Sequence, residues 1–233
     1  MAMSGRDFVV ELVGGRELPL APIADVHVSI LLETISSVWA ELVSEESSIL
    51  ATGDEKGINT LLSVRLNHYR ETSLMWRQMV NSVGRGVETM NYNGDKLEKR
   101  PDLSIHLTDR NANFPVTVEC KIIDHANSKG VDLYCSNGIA RFVGGDYAWM
   151  NGEAVMLAYV RDGSTTASKL TPKLAKSAKA TPDPYLTSSH PALCPEIHPT
   201  VHVSKHGRDF SYLPECNGTV PGDIALAHLW LTI

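Results

Sequence analysis

The feature that most limits what this chain can become is a change of period. Between Pro22 and Val43 the apolar residues Val28, Leu31, Leu32, Ile35, Val38, Trp39 and Leu42 recur at three and four, whereas from Val83 to Val118 the repeat is two. The first spacing gives a helix one apolar face; the second places alternate side chains on one face of a strand. A chain that does both must lay helices against a sheet. A further helix is expected from near Asp54, where Ile58, Leu61, Leu62, Leu66 and Tyr69 keep helical spacing and Thr52 with Glu55 reads as a capping box.

Within the alternating region, Leu103, Ile105 and Leu107 alternate with Asp102, Ser104 and His106, and Val116, Val118, Cys120 and Ile122 alternate with Thr117, Glu119, Lys121 and Ile123. Asn93-Gly94 is a turn of the hairpin kind and the polar run Asp109 to Asn113 a second one, so antiparallel pairing is expected. Asp132 to Phe142 can form a helix that ends before Gly144-Gly145. The unbroken apolar run Ala154 to Val160 suits a strand buried on both faces. A last strand is expected at Ile224 to Leu231, after a stretch made irregular by Pro182, Pro184, Pro191, Pro195 and Pro199. The sequence therefore reads as one α/β domain over 1–233, with a mixed central sheet flanked by helices. N-terminal helices occupy about 22–80, a core about 83–162 and an irregular part about 163–233.

Hydrophobic content of 43% and charged content of 21% are those of ordinary globular chains. The net charge of -6 exerts no global pull on nucleic acid, although a local basic cleft can coexist with an acidic back surface. The four cysteines show no CxxC spacing, which fits a reduced compartment. No unbroken apolar run approaches the roughly 18 to 20 residues that span a bilayer, and the N-terminus lacks a basic-flanked apolar run. A cytoplasmic protein without a membrane partner is expected.

Because side chains on a strand alternate, Glu119 and Lys121 must point the same way at the end of an otherwise apolar strand. If the preceding strand pairs with it, Asp102 comes near Glu119, and two carboxylates converge with one ammonium. Arg100-Pro101-Asp102-Leu103-Ser104-Ile105 followed by Val116-Thr117-Val118-Glu119-Cys120-Lys121 resembles the PD…ExK signature of the PD-(D/E)XK nuclease superfamily, over the middle of the chain only. The resemblance implies a restriction endonuclease-like core and metal-dependent hydrolysis of DNA in restriction or antiphage defence. It further implies magnesium, with manganese as a substitute, and a homodimer with other defence-system proteins as possible partners. It assigns the metal to Asp102, Glu119 and the Cys120 carbonyl, and the attacking water to Lys121. Glu55 is the candidate for a further acidic residue from the preceding helix, with Glu88 in reserve; a capping role is the competing reading of Glu55.

On the crossover helix, Tyr134 and Arg141 are seven apart and so share a face, which makes them candidates for substrate contact. Arg141 is the stronger because its fork suits phosphate, against a structural ion pair. Lys169, Lys173, Lys176 and Lys179 read as a solvated face before a phosphate track. His190, Cys194, His198, His202 and His206 have ligand-like spacing, but the intervening prolines forbid a helix, leaving a loop-built zinc site as the minor reading. Two alternatives to a DNA endonuclease stay open: a non-catalytic subunit of a multi-protein complex, and an RNA nuclease.

Overall fold

The computed structural model describes residues 3–233. Seven strands form its centre: β1 Val80–Arg85, β2 Leu103–Leu107, β3 Val116–Ile123, β4 Glu153–Val160, β5 Thr187–Leu193, β6 His202–His206 and β7 Ile224–Thr232. They lie side by side as β1-β2-β3-β4-β7-β6-β5. β3, β4 and β7 run parallel, and both flanks are antiparallel, which makes the sheet mixed. The helices are α1 Gly5–Val13, α2 Asp25–Thr52, α3 Glu55–Thr72, α4 Leu74–Met79, α5 Val131–Tyr134, α6 Ala140–Val143 and α7 Thr171–Ser177. The α/β class with a helix-flanked mixed sheet is as the sequence implied.

The alternation decides which face each helix covers. Val118, Cys120 and Ile122 of β3 with Val155, Leu157 and Tyr159 of β4 meet Leu31, Ile35 and Leu42 of α2 and Ile58, Leu62 and Leu66 of α3. Each fully buried aliphatic side chain there contributes about 1.5–3 kcal/mol. The other face carries Met156 and Ala158 of β4 and Leu226 of β7, under Cys135, Ile139 and Phe142 of the crossover and Leu174 of α7. A third cluster around Val9, Trp149, Phe210 and Tyr212 ties α1 to the loops.

α2 is 28 residues long, and its best window has a mean hydropathy of 1.4, enough by length and composition to cross a membrane. Serines and glutamates interrupt its apolar face, so no unbroken apolar run marks it in the sequence. Here its apolar face is packed on the sheet, where Trp39 stacks on Tyr159 at 5.0 Å.

Three local expectations need correction. The N-cap of α3 is Asp54, whose side chain accepts the Gly57 N–H at 2.7 Å; Thr52 ends α2 and bonds back to Ser48, so no capping box forms with Glu55. Asn93-Gly94 does turn the chain, with Gly94 at φ 76°, but it tips a long excursion between β1 and β2 whose arms meet at the isolated bridge Thr89–Lys99 and at Asn91–Lys96 instead of forming strands. The proline-rich stretch is more regular than expected: β5 and β6 pair within it, and Pro191 is tolerated because β5 is the edge strand, where a missing N–H removes no ladder bond on the open side.

Candidate active site

β2 and β3 part at the pair Leu103–Val118. Pro101 has no N–H to extend the ladder. Beyond it, the N–H groups of Cys120 and Ile122 on that edge of β3 need other acceptors. Asp102 Oδ2 takes the first at 2.9 Å and Glu55 Oε2 the second at 3.3 Å. The backbone's own requirement therefore draws two carboxylates from different elements onto one strand end.

Lys121 completes the arrangement from the strand itself. Its Nζ lies 2.8 Å from Glu119 Oε1, 3.2 Å from Glu55 Oε1, 3.5 Å from Asp102 Oδ2 and 2.6 Å from the Cys120 carbonyl oxygen. The four residues assigned to chemistry from the sequence, with the Cys120 carbonyl, thus meet at one point. Glu55 can reach it because it is the first residue of α3 and the cap is supplied by Asp54.

The electrostatics of this point are tense. The Glu119 side chain is only 2% exposed. Burial pushes its carboxyl up to about 8, with Asp102 adding to the rise against the pull of Lys121. Its second oxygen, Oε2, is buried without a partner among the described residues. Burial works to discharge Lys121, but Glu119, Asp102 and Glu55 outweigh it and hold the ammonium above its ordinary value. Burial also raises Glu55, which Lys121 opposes. Among the described residues no three His, Cys, Asp or Glu side chains form a group able to hold a metal by themselves; the Lys121 ammonium stands among the carboxylates instead.

The cluster opens on a cleft of about 530 Å³, whose rim carries Lys56, Arg85, Arg100, Lys129 and Arg141. Arg141 extends toward Glu119, 3.9 Å away, and is steadied by the Tyr147 hydroxyl, itself bonded to the Arg100 carbonyl at 2.9 Å. Gly138 lets the crossover approach so closely: a Cβ there would stand 2.5 Å from Met156 and 3.8 Å from Glu119. The chain is acidic as a whole, yet this cleft is locally basic.

No family model, curated protein or solved structure matches this chain. The site must therefore be read from its own geometry.

That geometry adds one residue and removes others. Asn59 donates to Asp102 Oδ1 at 2.9 Å and accepts from the Tyr159 hydroxyl at 2.8 Å, fixing the carboxylate. Its signal was its place four after Glu55, on the same helical face. Glu88 is excluded, since it lies at the surface paired with Arg100. Tyr134 is also excluded from substrate contact: it is fully buried. The reason is the π-helical segment Cys135–Ile139 between α5 and α6, whose wider turn takes residues 134 and 141 off a common face.

The Tyr134 hydroxyl instead begins a sealed polar chain. It lies 2.9 Å from His228 Nδ1; His228 Nε2 and His206 Nε2 each lie 2.7 Å from Ser204 Oγ; His206 Nδ1 lies 2.8 Å from the Tyr185 carbonyl. A carbonyl only accepts, so His206 Nδ1 donates and its Nε2 accepts from Ser204. Ser204 then accepts from His228 Nε2, leaving Nδ1 to accept from Tyr134. Every ring nitrogen is used with both imidazoles neutral. Burial lowers both of them, His228 well below its ordinary value.

The zinc reading does not survive this placement. His206 belongs to the sealed chain, and buried His198 bonds Ser36 and Thr200. Of the four lysines, Lys173 pairs with Asp132, while Lys169, Lys176 and Lys179 are exposed.

Proposed function

We propose that this chain is a divalent-cation-dependent phosphodiesterase of the PD-(D/E)XK kind, an endonuclease on DNA with a restriction endonuclease-like core. One observation carries the reading: Asp102, Glu119, Glu55 and the Cys120 carbonyl converge on Lys121 where β3 runs past the end of β2, beside a basic cleft.

The donor set suits a hard cation, being carboxylate and carbonyl oxygen throughout. The unpartnered Glu119 Oε2 points the same way, because buried carboxylate oxygens are rarely left without a partner. Asp102, Glu119 and the Cys120 carbonyl would hold magnesium, or manganese in its place. When bound, the cation supplies charge against phosphoryl oxygens and acidifies water. The rest falls to the chain. Lys121, released from the carboxylates, orients the attacking water and stabilises the charge that builds on the phosphate. Asn59 holds Asp102 in place. Arg141 grips phosphate with its fork, and Arg85 and Lys129 hold the backbone as point charges. Cutting both strands of a duplex takes two such sites, so a homodimer is part of the proposal. A cytoplasmic setting is proposed with it, on the cysteine pattern, and by the resemblance so is a role in restriction or antiphage defence alongside other defence proteins.

One observation favours a second reading. Lys121 closes a compact ion-pair cluster with three carboxylates, and such a cluster also suits a non-catalytic subunit of a larger complex. Incubating plasmid DNA with the wild-type protein and Lys121→Ala, in magnesium, manganese or EDTA, separates the two. Metal-dependent cutting that Lys121→Ala loses while keeping its circular dichroism is expected. Intact plasmid under every condition would favour the subunit.

A further inference from the structure

Across Pro101 from the cleft lies a second concavity of about 260 Å³, and Pro101 lines both. Its floor is the sheet face that carries Ser104 and His106 of β2 and Thr117 of β3. Ser104 and Thr117 face each other across the ladder and are 2% and 5% exposed. Both residues line this space. His106 Nδ1 donates to the Ala112 carbonyl at 3.0 Å, which leaves Nε2 as an acceptor. Trp149, Phe114 and Met90 wall the space. A few polar groups on the floor of an aromatic-walled concavity suit a ligand with a flat apolar body and a polar edge.

We propose that this pocket takes one nucleobase, unstacked from the strand whose phosphate lies in the adjoining cleft. The inference rests on the phosphodiesterase reading for the strand, but not for the base. The volume suits one heterocycle better than a drug-sized ligand. The chemistry suits a base: an apolar, polarizable wall for the ring and two hydroxyls with an imidazole nitrogen for its edge. A base can swing there only if its nucleotide is unpaired or easily extruded. The preferred substrate is therefore a single strand, a mismatch or a flexible step, not a stiff paired duplex.

The test uses the four nucleoside 5′-monophosphates in calorimetry and a short single-stranded oligonucleotide containing 2-aminopurine in fluorescence, all in EDTA so that nothing is cut. At least one mononucleotide should bind saturably, and 2-aminopurine fluorescence should change on binding. Thr117→Val, which keeps the shape and removes a hydroxyl, should weaken base binding about five- to tenfold. Ser104→Leu should abolish it by filling the space. No mononucleotide binding together with a silent 2-aminopurine, or undiminished binding by folded Ser104→Leu and Thr117→Val, overturns the proposal. A bound mononucleotide that the oligonucleotide fails to displace overturns its strand-base form in favour of a free nucleotide. Base binding without metal-dependent cutting leaves the pocket standing and removes the nuclease reading; cutting without base binding does the reverse.

Discussion

Two polar clusters lie on the same face of this sheet, and they solve burial in opposite ways. In the Tyr134–His228–Ser204–His206 chain every donor finds an acceptor, both imidazoles are neutral and all four residues are fully buried. In the Lys121 cluster three carboxylates crowd one ammonium, an oxygen of Glu119 has no partner and the assembly opens on a basic cleft. A satisfied network stabilises a structure. A network that is charged, unfinished and open is poised to receive something. The histidines, which carry metal-ligand chemistry in their side chains, are the structural set; the short acidic motif is the candidate site.

Substitutions should separate the two regions cleanly. The largest effect is expected at the open cluster: Asp102→Asn, which removes the charge but keeps an acceptor for the Cys120 N–H, should lower metal-dependent cleavage by about 10²–10³-fold while thermal unfolding changes little. Equal losses of folding and activity would put this cluster in the same class as the sealed chain. Ser204→Ala should show the inverse pattern. Removing the central hydroxyl orphans a donor of His228 and an acceptor of His206, which costs about 3 kcal/mol in urea unfolding and leaves turnover of the folded fraction intact.

The pH dependence of folding sharpens the contrast. Burial lowers His206 and His228, so below about pH 6.5 the unfolded chain takes up protons that the folded chain refuses. Stability from these groups is present above that pH and falls as pH drops, with a slope approaching about 1.4 kcal/mol per unit for each histidine. Glu119, pushed up to about 8, gives the opposite slope over this range, so the histidine part is read as a difference. In urea titrations from about pH 7.5 to about pH 5, wild-type stability should gain more with rising pH than that of His228→Gln, by up to about 1.4 kcal/mol per unit. The smallest effect is expected from Asn59→Ala, which loosens Asp102: about a tenfold loss of turnover, measured at saturating substrate, with KM little changed.

Much of this was legible in the sequence because strand geometry is strict. Once β3 is a strand, Glu119 and Lys121 share a face, and pairing with β2 brings Asp102 alongside. The helical stripes of α2 and α3 and the apolar run of β4 are likewise direct consequences of burial. What stayed hidden depended on interactions with no local periodicity. Tyr134 was misplaced because nothing in Cys135–Ile139 announces a π-helical turn. The cap of α3 is Asp54, two residues beyond the expected Thr52, which is why capping competed with the site as a reading of Glu55. β5 and β6 were masked by prolines that an edge strand tolerates. The sealed histidine chain joins residues as far apart as 134 and 228, and only the folded sheet brings them together.

The proposed function requires the oxygens around Lys121 to bind a divalent cation. Titrating the wild-type protein with magnesium and manganese by isothermal calorimetry tests it without any substrate. The account predicts saturable binding that Glu119→Gln and Asp102→Asn each weaken by tenfold or more (about 1.4 kcal/mol) while Ser204→Ala leaves it unchanged. A wild-type protein that binds neither metal, or binds them as well after both carboxylates are neutralised, would contradict it.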